Sequence, residues 1–170
     1  MKFRKSALRL GMLVFMMAGA AYAAEMGASA EYRLSGKKIE LARYAKAYVG
    51  QGNVTVEVAP YKTEDRKSGA ILLFKGIEGP WDGKAINHRL EPGTYNATNY
   101  VTDYEGREWT TLIAGRDGYD GKSNLLYVPE VKDEIKLAPS DGAAQLTSPA
   151  AIFQEYQRQQ GLLQKEGEKK

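Results

Sequence analysis

Apolar and polar residues alternate with a period of two along much of this 170-residue chain, beginning near residue 32. Residues 54–58 alternate valine with threonine and glutamate, which predicts a half-buried strand ending at Pro60. Residues 85–90 alternate in the same way. Residues 70–74 instead form a continuous apolar run, which is typical of a strand covered on both faces. The pattern therefore predicts a sheet whose strands differ in how much solvent they meet.

A two-residue hairpin is the best-defined unit of this pattern. Residues 95–104 and 107–114 are rich in Tyr, Thr, Trp, Val and Ile, and Glu105-Gly106 separates them. Glycine at the second turn position permits the positive φ that such a turn requires. We therefore expect two antiparallel strands joined at this point.

The turn also fixes the register of this hairpin, since the side-chain period of a strand is two. The expected register pairs Thr102 with Trp109 and Tyr100 with Thr111. Four side chains then share one face, which is either core or a binding surface. They are Tyr100, Tyr104, Trp109 and Ile113.

Two further regions complete the expected sheet. Residues 39–49 have a composition compatible with helix or strand, and their position between Gly36 and the strand at 54–58 favours strand. Residues 125–128 and 134–137 look like two final strands. The sheet is thus expected to reach about residue 138.

The last part of the chain predicts a helix. Ser148 is a typical N-cap residue and Pro149 suits the first helical position. The opposite face is rich in glutamine, so we expect the helix to pack on the sheet or on a partner and not on a membrane. Its apolar face is expected to consist of Ile152, Phe153, Tyr156 and Leu163.

These elements predict a mainly β protein, a single antiparallel β-sandwich or β-barrel of about seven to nine strands with a C-terminal amphipathic helix. Short strands and frequent glycine turns argue against a βαβ topology. The expected order is a signal peptide (1–23), a loose leader (24–31), a β domain (32–138), a linker (139–148), the helix (149–165) and a charged tail (166–170).

The N-terminal residues have the three-part order of a secretory signal peptide. Four basic residues precede an apolar run over 10–18, and Ala-Tyr-Ala at 21–23 forms a small-x-small cleavage site. The apolar stretch is shorter than the roughly 20 residues that span a bilayer. We therefore expect a mature chain that begins at Ala24, is periplasmic or secreted, and has no stable membrane insertion. An uncleaved amphipathic anchor is the alternative.

Charge and cysteine content exclude several classes of function. The chain has 24 basic and 21 acidic residues, and the predicted leader holds four basic and no acidic ones. Its removal leaves 20 against 21, so no basic surplus points to nucleic acid. The chain has no cysteine, which excludes disulfides and thiol chemistry, and its single histidine argues against the common zinc sites. We expect neither a metal nor a cofactor.

Candidate catalytic groups are few. His88 is expected to be a buried or semi-buried structural histidine because Ile86 and Leu90 lie on the same side of its strand. No Gly-x-Ser-x-Gly elbow accompanies it, so a nucleophilic serine has no support. Paired carboxylates could hydrolyse a glycan, but three of the four candidates lie at the hairpin tip, where charges solvate a turn. The four are Asp82, Asp103, Glu105 and Glu108.

Clustered aromatic residues are the one surplus that suggests binding, since aromatic rings suit both protein and carbohydrate contacts. The leading hypothesis is a non-enzymatic module that contacts a protein or a cell-envelope component through an aromatic-rich β face. The alternatives are a carboxylate-dependent hydrolase of cell-envelope glycan and a barrel-type carrier of a small apolar ligand. The candidate binding residues are Trp81, Asp82, Tyr100, Tyr104 and Trp109.

Overall fold

A computed structural model describes residues 31–119 and 121–162. The predicted signal peptide, most of the leader, Leu163 and the charged tail lie outside the described residues. The strands are β1 (Tyr32–Leu34), β2 (Lys37–Leu41), β3 (Lys46–Gly50), β4 (Thr55–Thr63), β5 (Ser68–Lys75), β6 (Ala85–Pro92), β7 (Thr98–Tyr104), β8 (Arg107–Gly118), β9 (Gly121–Leu126) and β10 (Ile135–Pro139). The helices are α1 (Asp141–Gln145) and α2 (Pro149–Gln159).

The strands β3 to β10 form a closed barrel. Each pairs antiparallel with the next along the chain, and β10 returns to pair with β3. This up-and-down connectivity gives eight strands with no open edge around the barrel. Of the two predicted architectures, the protein therefore adopts the barrel.

The hairpin β1–β2 extends this barrel on one side. Its second strand pairs with the last part of β4, whereas β3 pairs with the first part. The strand β4 consequently runs through Pro60 to Thr63, and the prediction that Pro60 ends it was wrong. Proline is accommodated because β3 gives way to β2 at this position, where the Pro60 carbonyl accepts from the Ala42 amide at 2.8 Å.

The ambiguous region over residues 39–49 contains strands and no helix, as the turn spacing favoured, with a bend over 42–45 between them. It is divided between β2 and β3, which pair with successive parts of β4. The stretch predicted as a linker, 139–148, contains the short helix α1. The residues there are mostly small or polar, so no apolar residues at helical spacing indicated this helix in the sequence.

The barrel interior holds the main hydrophobic core. Side chains from β3, β4, β5, β7, β8, β9 and β10 meet in one cluster. An eight-stranded barrel has an interior just wide enough for side chains to fill or for one small ligand. The fully buried apolar side chains of this cluster include Val56, Val58, Leu72, Phe74, Leu112 and Leu126.

A second core lies on the outer face of the barrel wall formed by β4, β5 and β6. There α2 inserts Ile152 and Phe153 between the wall and the hairpin β1–β2. The Ser148 hydroxyl caps the helix by accepting from the Ala151 amide at 3.1 Å, and Pro149 follows it, as predicted. The helix thus packs on the sheet, one of the two expected arrangements.

The hairpin β7–β8 has the predicted turn but not the whole predicted register. Glu105 and Gly106 both have positive φ, and Thr102 pairs with Trp109. Beyond Val101 a β-bulge shifts the pairing, so that Tyr100 faces Leu112 and not Thr111. The bulge also explains why Ile113, expected beside Tyr100, lies outside the interior cluster.

Candidate functional site

Aromatic rings fill one end of the barrel in a continuous chain of contacts. The ring of Trp81 lies 5.4 Å from that of Phe74 and 5.7 Å from that of Tyr104. The ring of Trp109 follows at 6.2 Å from Tyr104. Such tilted and edge-to-face pairs are favourable beyond the area they bury. We call the outer rings, Tyr104 and Trp109, together with the exposed Asp82 that follows Trp81 in sequence, the aromatic rim.

The loop between β5 and β6 positions Trp81 at this end. It folds back on β5 because the Gly83 amide donates to the Phe74 carbonyl at 2.8 Å. The Asp82 carboxylate accepts from the Gly76 amide at 2.7 Å. A glycine is needed at position 76, because its φ is +68° and a Cβ would lie 2.6 Å from the Asn53 carbonyl oxygen. These contacts hold Trp81 under the rim.

The structure divides the five predicted binding residues into two groups. Trp81 and Tyr100 are 5% and 3% exposed and belong to the interior core, so a partner on the surface would meet little of either side chain. Tyr104 and Trp109 are half-buried, and Asp82 is exposed. Only the aromatic rim therefore offers the predicted residues to a partner.

Hydrogen bonds fix the two half-buried rings. The Trp109 indole N–H donates to the Tyr127 carbonyl at 3.0 Å, and the Tyr104 hydroxyl lies 3.4 Å from a carboxylate oxygen of Glu130. Both partners belong to the segment between β9 and β10. Because packing and hydrogen bonds hold these rings from two sides, little side-chain entropy remains to be lost on binding.

His88 is buried in the barrel interior, as predicted. Its Nε2 lies 2.9 Å from the Thr111 Oγ1 and its Nδ1 2.9 Å from the Ile86 carbonyl oxygen. Burial lowers the pKa of His88 to about 4, against which the Ile86 carbonyl acts more weakly. The neutral ring has partners at both nitrogens and no exposed surface, so it is not placed to act as a general base on a surface substrate.

Two buried tyrosines belong to the interior core. The hydroxyl groups of Tyr48 and Tyr100 are hydrogen-bonded to each other. Burial raises the pKa of both phenols, and the neighbouring Tyr48 raises that of Tyr100 further. Both therefore stay protonated and serve the core.

Two of the four candidate hydrolytic carboxylates, Asp103 and Glu108, lie on the barrel wall beside one arginine. Asp82 lies in the β5–β6 loop and Glu105 in the β7–β8 turn. Arg89 on β6 contacts Glu91 at 2.6 Å and Asp103 at 3.8 Å, and its Nη2 donates to Glu108. Asp103 and Glu108 are cross-strand neighbours and mostly exposed. A shared arginine on a convex surface accounts for this grouping without a substrate cleft.

A groove of about 370 Å³ between α2 and the barrel wall also contains acids. Glu57 in it is nearly buried, and its carboxylate accepts from the Lys75 ammonium at 2.5 Å. Glu155 accepts from Arg158 and Gln159, and the Arg158 guanidinium chiefly lowers the pKa of Glu155 to about 2. Each acid therefore already has a partner, and the lowered pKa of Glu155 keeps that carboxylate ionised, unlike a general acid.

Sequence reasoning missed a second group of exposed residues, at the opposite end of the barrel. Tyr95 is 65% exposed and Arg116 lies over its ring, with 5.2 Å from the guanidinium carbon to the ring centroid. The sequence placed Tyr95 in a strand. The turn chemistry of Pro92-Gly93 followed by Asn96, a residue that tolerates positive φ, was the signal that could have indicated a loop.

Neither known proteins nor other kinds of site indicate a function for the described part of the chain. No protein-family model, curated protein or solved structure matches this chain. Within residues 31–119 and 121–162, no group of acidic or histidine side chains is arranged to hold a metal ion, and no helix is long and apolar enough to cross a membrane. The class of protein shown is thus an up-and-down β-barrel with a helix packed on its outer wall.

Proposed function

We propose that this protein is an exported, non-enzymatic interaction module that binds a protein partner of the cell envelope through the aromatic rim. The observation that carries the proposal is the rim itself. Tyr104 and Trp109 are half-exposed rings held in fixed positions over the buried Trp81. Tyrosine and tryptophan in such settings dominate the energetics of many protein interfaces.

Packing inside the barrel supports an interaction surface over a carrier function. Leu72, Phe74 and Leu112 are fully buried where a ligand would have to lie, together with His88 and the two bonded tyrosines. A carrier for an apolar molecule would need that volume to be open. The rim, in contrast, is accessible without any rearrangement of the core.

The predicted leader supports the location. Removal of residues 1–23 would give a protein that meets its partners outside the cytoplasm. Exported proteins are often stabilised by disulfides, and because this chain has no cysteine its stability depends on packing. The barrel meets that need with two cores, one inside and one under α2.

Affinity capture with rim variants tests the proposal. Tagged protein is used as bait in envelope extract and in cytoplasmic extract of the same cells, and the dissociation constant of each captured protein is then measured. We expect an envelope protein whose affinity falls about tenfold or more in Tyr104→Ala and in Trp109→Ala. Leu146→Ala is the matched control, since Leu146 is exposed and far from the rim in sequence.

Two results would contradict the proposal. One is a captured partner whose affinity is unchanged in both rim variants, with circular dichroism showing that each variant is folded. The other is a partner found only in the cytoplasmic extract, which would remove the export part. Trp81→Ala is not used as a rim variant, because its side chain is in the core and its loss is expected to destabilise the fold.

A further inference from the structure

Tyr95 occupies a turn position that its side chain does not favour. The Ala97 amide donates to the Thr94 carbonyl at 3.2 Å, and the two central residues, Tyr95 and Asn96, have φ of +55° and +57°. Turns with two positive φ values are dominated by glycine, asparagine and aspartate. Asn96 satisfies that preference, whereas a bulky residue at Tyr95 is strained.

The ring of Tyr95 packs in neither hydrophobic core, so core packing does not offset this strain. It is 65% exposed and belongs to neither hydrophobic core. Several other non-glycine residues in the described part of the chain have positive φ. They are serine, asparagine, arginine or glutamate, whose polar side chains suit an exposed turn. Tyr95 is the one aromatic residue among them. Packing in the two hydrophobic cores therefore does not explain the presence of an aromatic ring here.

The turn is nevertheless held rigidly against β8. The Asp117 amide donates to the Tyr95 carbonyl at 2.9 Å, and the Asn96 side-chain amide donates to the Asp117 carboxylate at 2.7 Å. Arg116 covers one face of the Tyr95 ring. We call Tyr95, Asn96, Arg116 and Asp117 the Tyr95 surface. It presents a ring in a fixed orientation, surrounded by hydrogen-bonding groups.

We propose that the Tyr95 surface binds a neutral carbohydrate chain. An exposed aromatic ring offers an apolar face on which a sugar ring can stack, and its hydroxyl is a polar handle. Arg116 supplies several donors, while Asp117 supplies acceptors for hydroxyl groups. Arg116 and Asp117 carry opposite charges, so this pair by itself has no net attraction for an anionic nucleic acid or lipid.

This site is independent of the proposed protein-binding rim. Consecutive strands of the barrel run in opposite directions, so the β6–β7 turn that holds Tyr95 lies at one end and the β7–β8 turn beside Tyr104 lies at the other. A carbohydrate at Tyr95 would therefore leave the rim free for a protein. Failure of one proposal does not decide the other.

Chemical-shift mapping tests the carbohydrate proposal directly. The ¹⁵N-labelled protein is titrated with two neutral tetrasaccharides, of β-1,4-linked glucose and of β-1,4-linked N-acetylglucosamine, and with tetragalacturonate as the charged comparison. We expect saturable shifts at Asn96, Arg116 and Asp117 with at least one neutral chain, and weaker shifts with the anion.

Variants at Tyr95 separate the ring from the fold. Tyr95→Phe retains the ring and should keep binding within a few-fold, whereas Tyr95→Asn should weaken it about tenfold or more. The thermal midpoint of Tyr95→Asn should be unchanged or higher, because asparagine tolerates the left-handed conformation. Tyr44→Ala is the matched control, since Tyr44 is 70% exposed and lies under Arg43 at 5.1 Å.

The outcomes decide the matter in either direction. Saturable binding that Tyr95→Asn abolishes and Tyr44→Ala preserves supports the proposal. The proposal is overturned by no shift with either neutral chain, by shifts with the anion alone, or by binding retained in Tyr95→Asn. Equal losses in Tyr95→Asn and Tyr44→Ala would also overturn it, because general surface aromaticity would then explain the binding.

Discussion

Two walls of the barrel are built on different principles. In the wall of β4, β5 and β6, strands β4 and β5 pair continuously from Thr55 with Lys75 to Lys62 with Ser68, and α2 covers the outer face. In the wall of β8, β9 and β10, the closing strand β10 pairs with β9 only over Ile135–Leu137 and with β3 only over Leu137–Pro139. The first wall has two apolar faces, and the second has one.

This difference predicts an uneven distribution of stability. Regions with long ladders and burial on both faces open only near global unfolding, while short ladders with one solvated face open locally. The covered wall should therefore hold the fold together, and β10 should be its first point of opening. Substitutions in α2, at His88 and at Asn124 test this difference between the two walls.

The largest effect is expected from the helix that covers the first wall. Phe153 is fully buried, and its ring lies 5.4 Å from that of Tyr32 and 6.3 Å from that of Tyr156. Phe153→Ala would remove the centre of the outer core and should lower the free energy of unfolding by about 3–5 kcal/mol. Urea denaturation followed by circular dichroism measures this change.

The matched control lies just before the same helix. Leu146 is 90% exposed, so Leu146→Ala should change the free energy of unfolding by less than about 0.5 kcal/mol. If Phe153→Ala proved as mild as Leu146→Ala, the helix would be an accessory to the barrel and the first wall would not depend on its cover.

His88 links a strand of the first wall to a strand of the second, and its titration should sharpen the comparison. It extends from β6 to Thr111 at the bulge of β8. Its pKa is lowered from 6.5 to about 4 by burial, so the unfolded chain binds a proton in this interval that the folded chain does not. The contribution of His88 to the free energy of unfolding is therefore fully present above pH 6.5 and falls as the pH drops through that interval. Below pH 4 this contribution is lower by about 3 kcal/mol.

Wild type and His88→Gln are compared by urea denaturation between pH 3.5 and 7.5. Glutamine does not titrate, so subtraction of the two profiles cancels the contributions of the carboxylates. We expect the difference between the profiles to change between pH 6.5 and 4 and to be flat above pH 7. A constant difference over the whole range would mean that His88 is not buried in the neutral form.

Sequence reasoning reached the parts of the fold that depend on burial pattern. The continuous apolar run over 70–74 predicted a strand covered on both faces, and β5 is buried throughout that run. The alternation over 85–90 placed His88 on the same side as Ile86, which accounts for its burial. Both inferences succeed because the period of apolar residues records which faces meet solvent.

Features that depend on distant partners were beyond this reasoning. The bulge that moves Tyr100 opposite Leu112 lies where Thr111 contacts His88, a residue on β6, two strands away in the sheet. Composition identified the aromatic cluster, but whether a ring is core or rim depends on loop closure, which buries Trp81 and leaves Tyr104 half-exposed. The exposed Tyr95 was missed because a local strand pattern concealed its turn.

Asn124 gives the smallest of these effects and tests the second wall. Its side-chain oxygen accepts from the Gly115 amide at 2.9 Å, and its side-chain nitrogen donates to the Leu137 carbonyl at 3.3 Å. The residue is buried where the β8–β9 pairing shifts, so it ties the irregular part of β8 to the closing strand. Asn124→Ala leaves both backbone groups without these partners and should destabilise the protein by about 1–3 kcal/mol.

Hydrogen exchange shows where that loss is felt. If the second wall opens locally, Asn124→Ala should accelerate exchange of β10 amides more than that of β5 amides, whereas Ser123→Ala, which removes only a 3.5 Å contact to the Arg116 carbonyl, should leave both nearly unchanged. Equal acceleration in β5 and β10 would mean that the two walls open as one cooperative unit. Continuous pairing around the closed barrel would then outweigh the difference in cover, and the short ladders of β10 would not be a weak point.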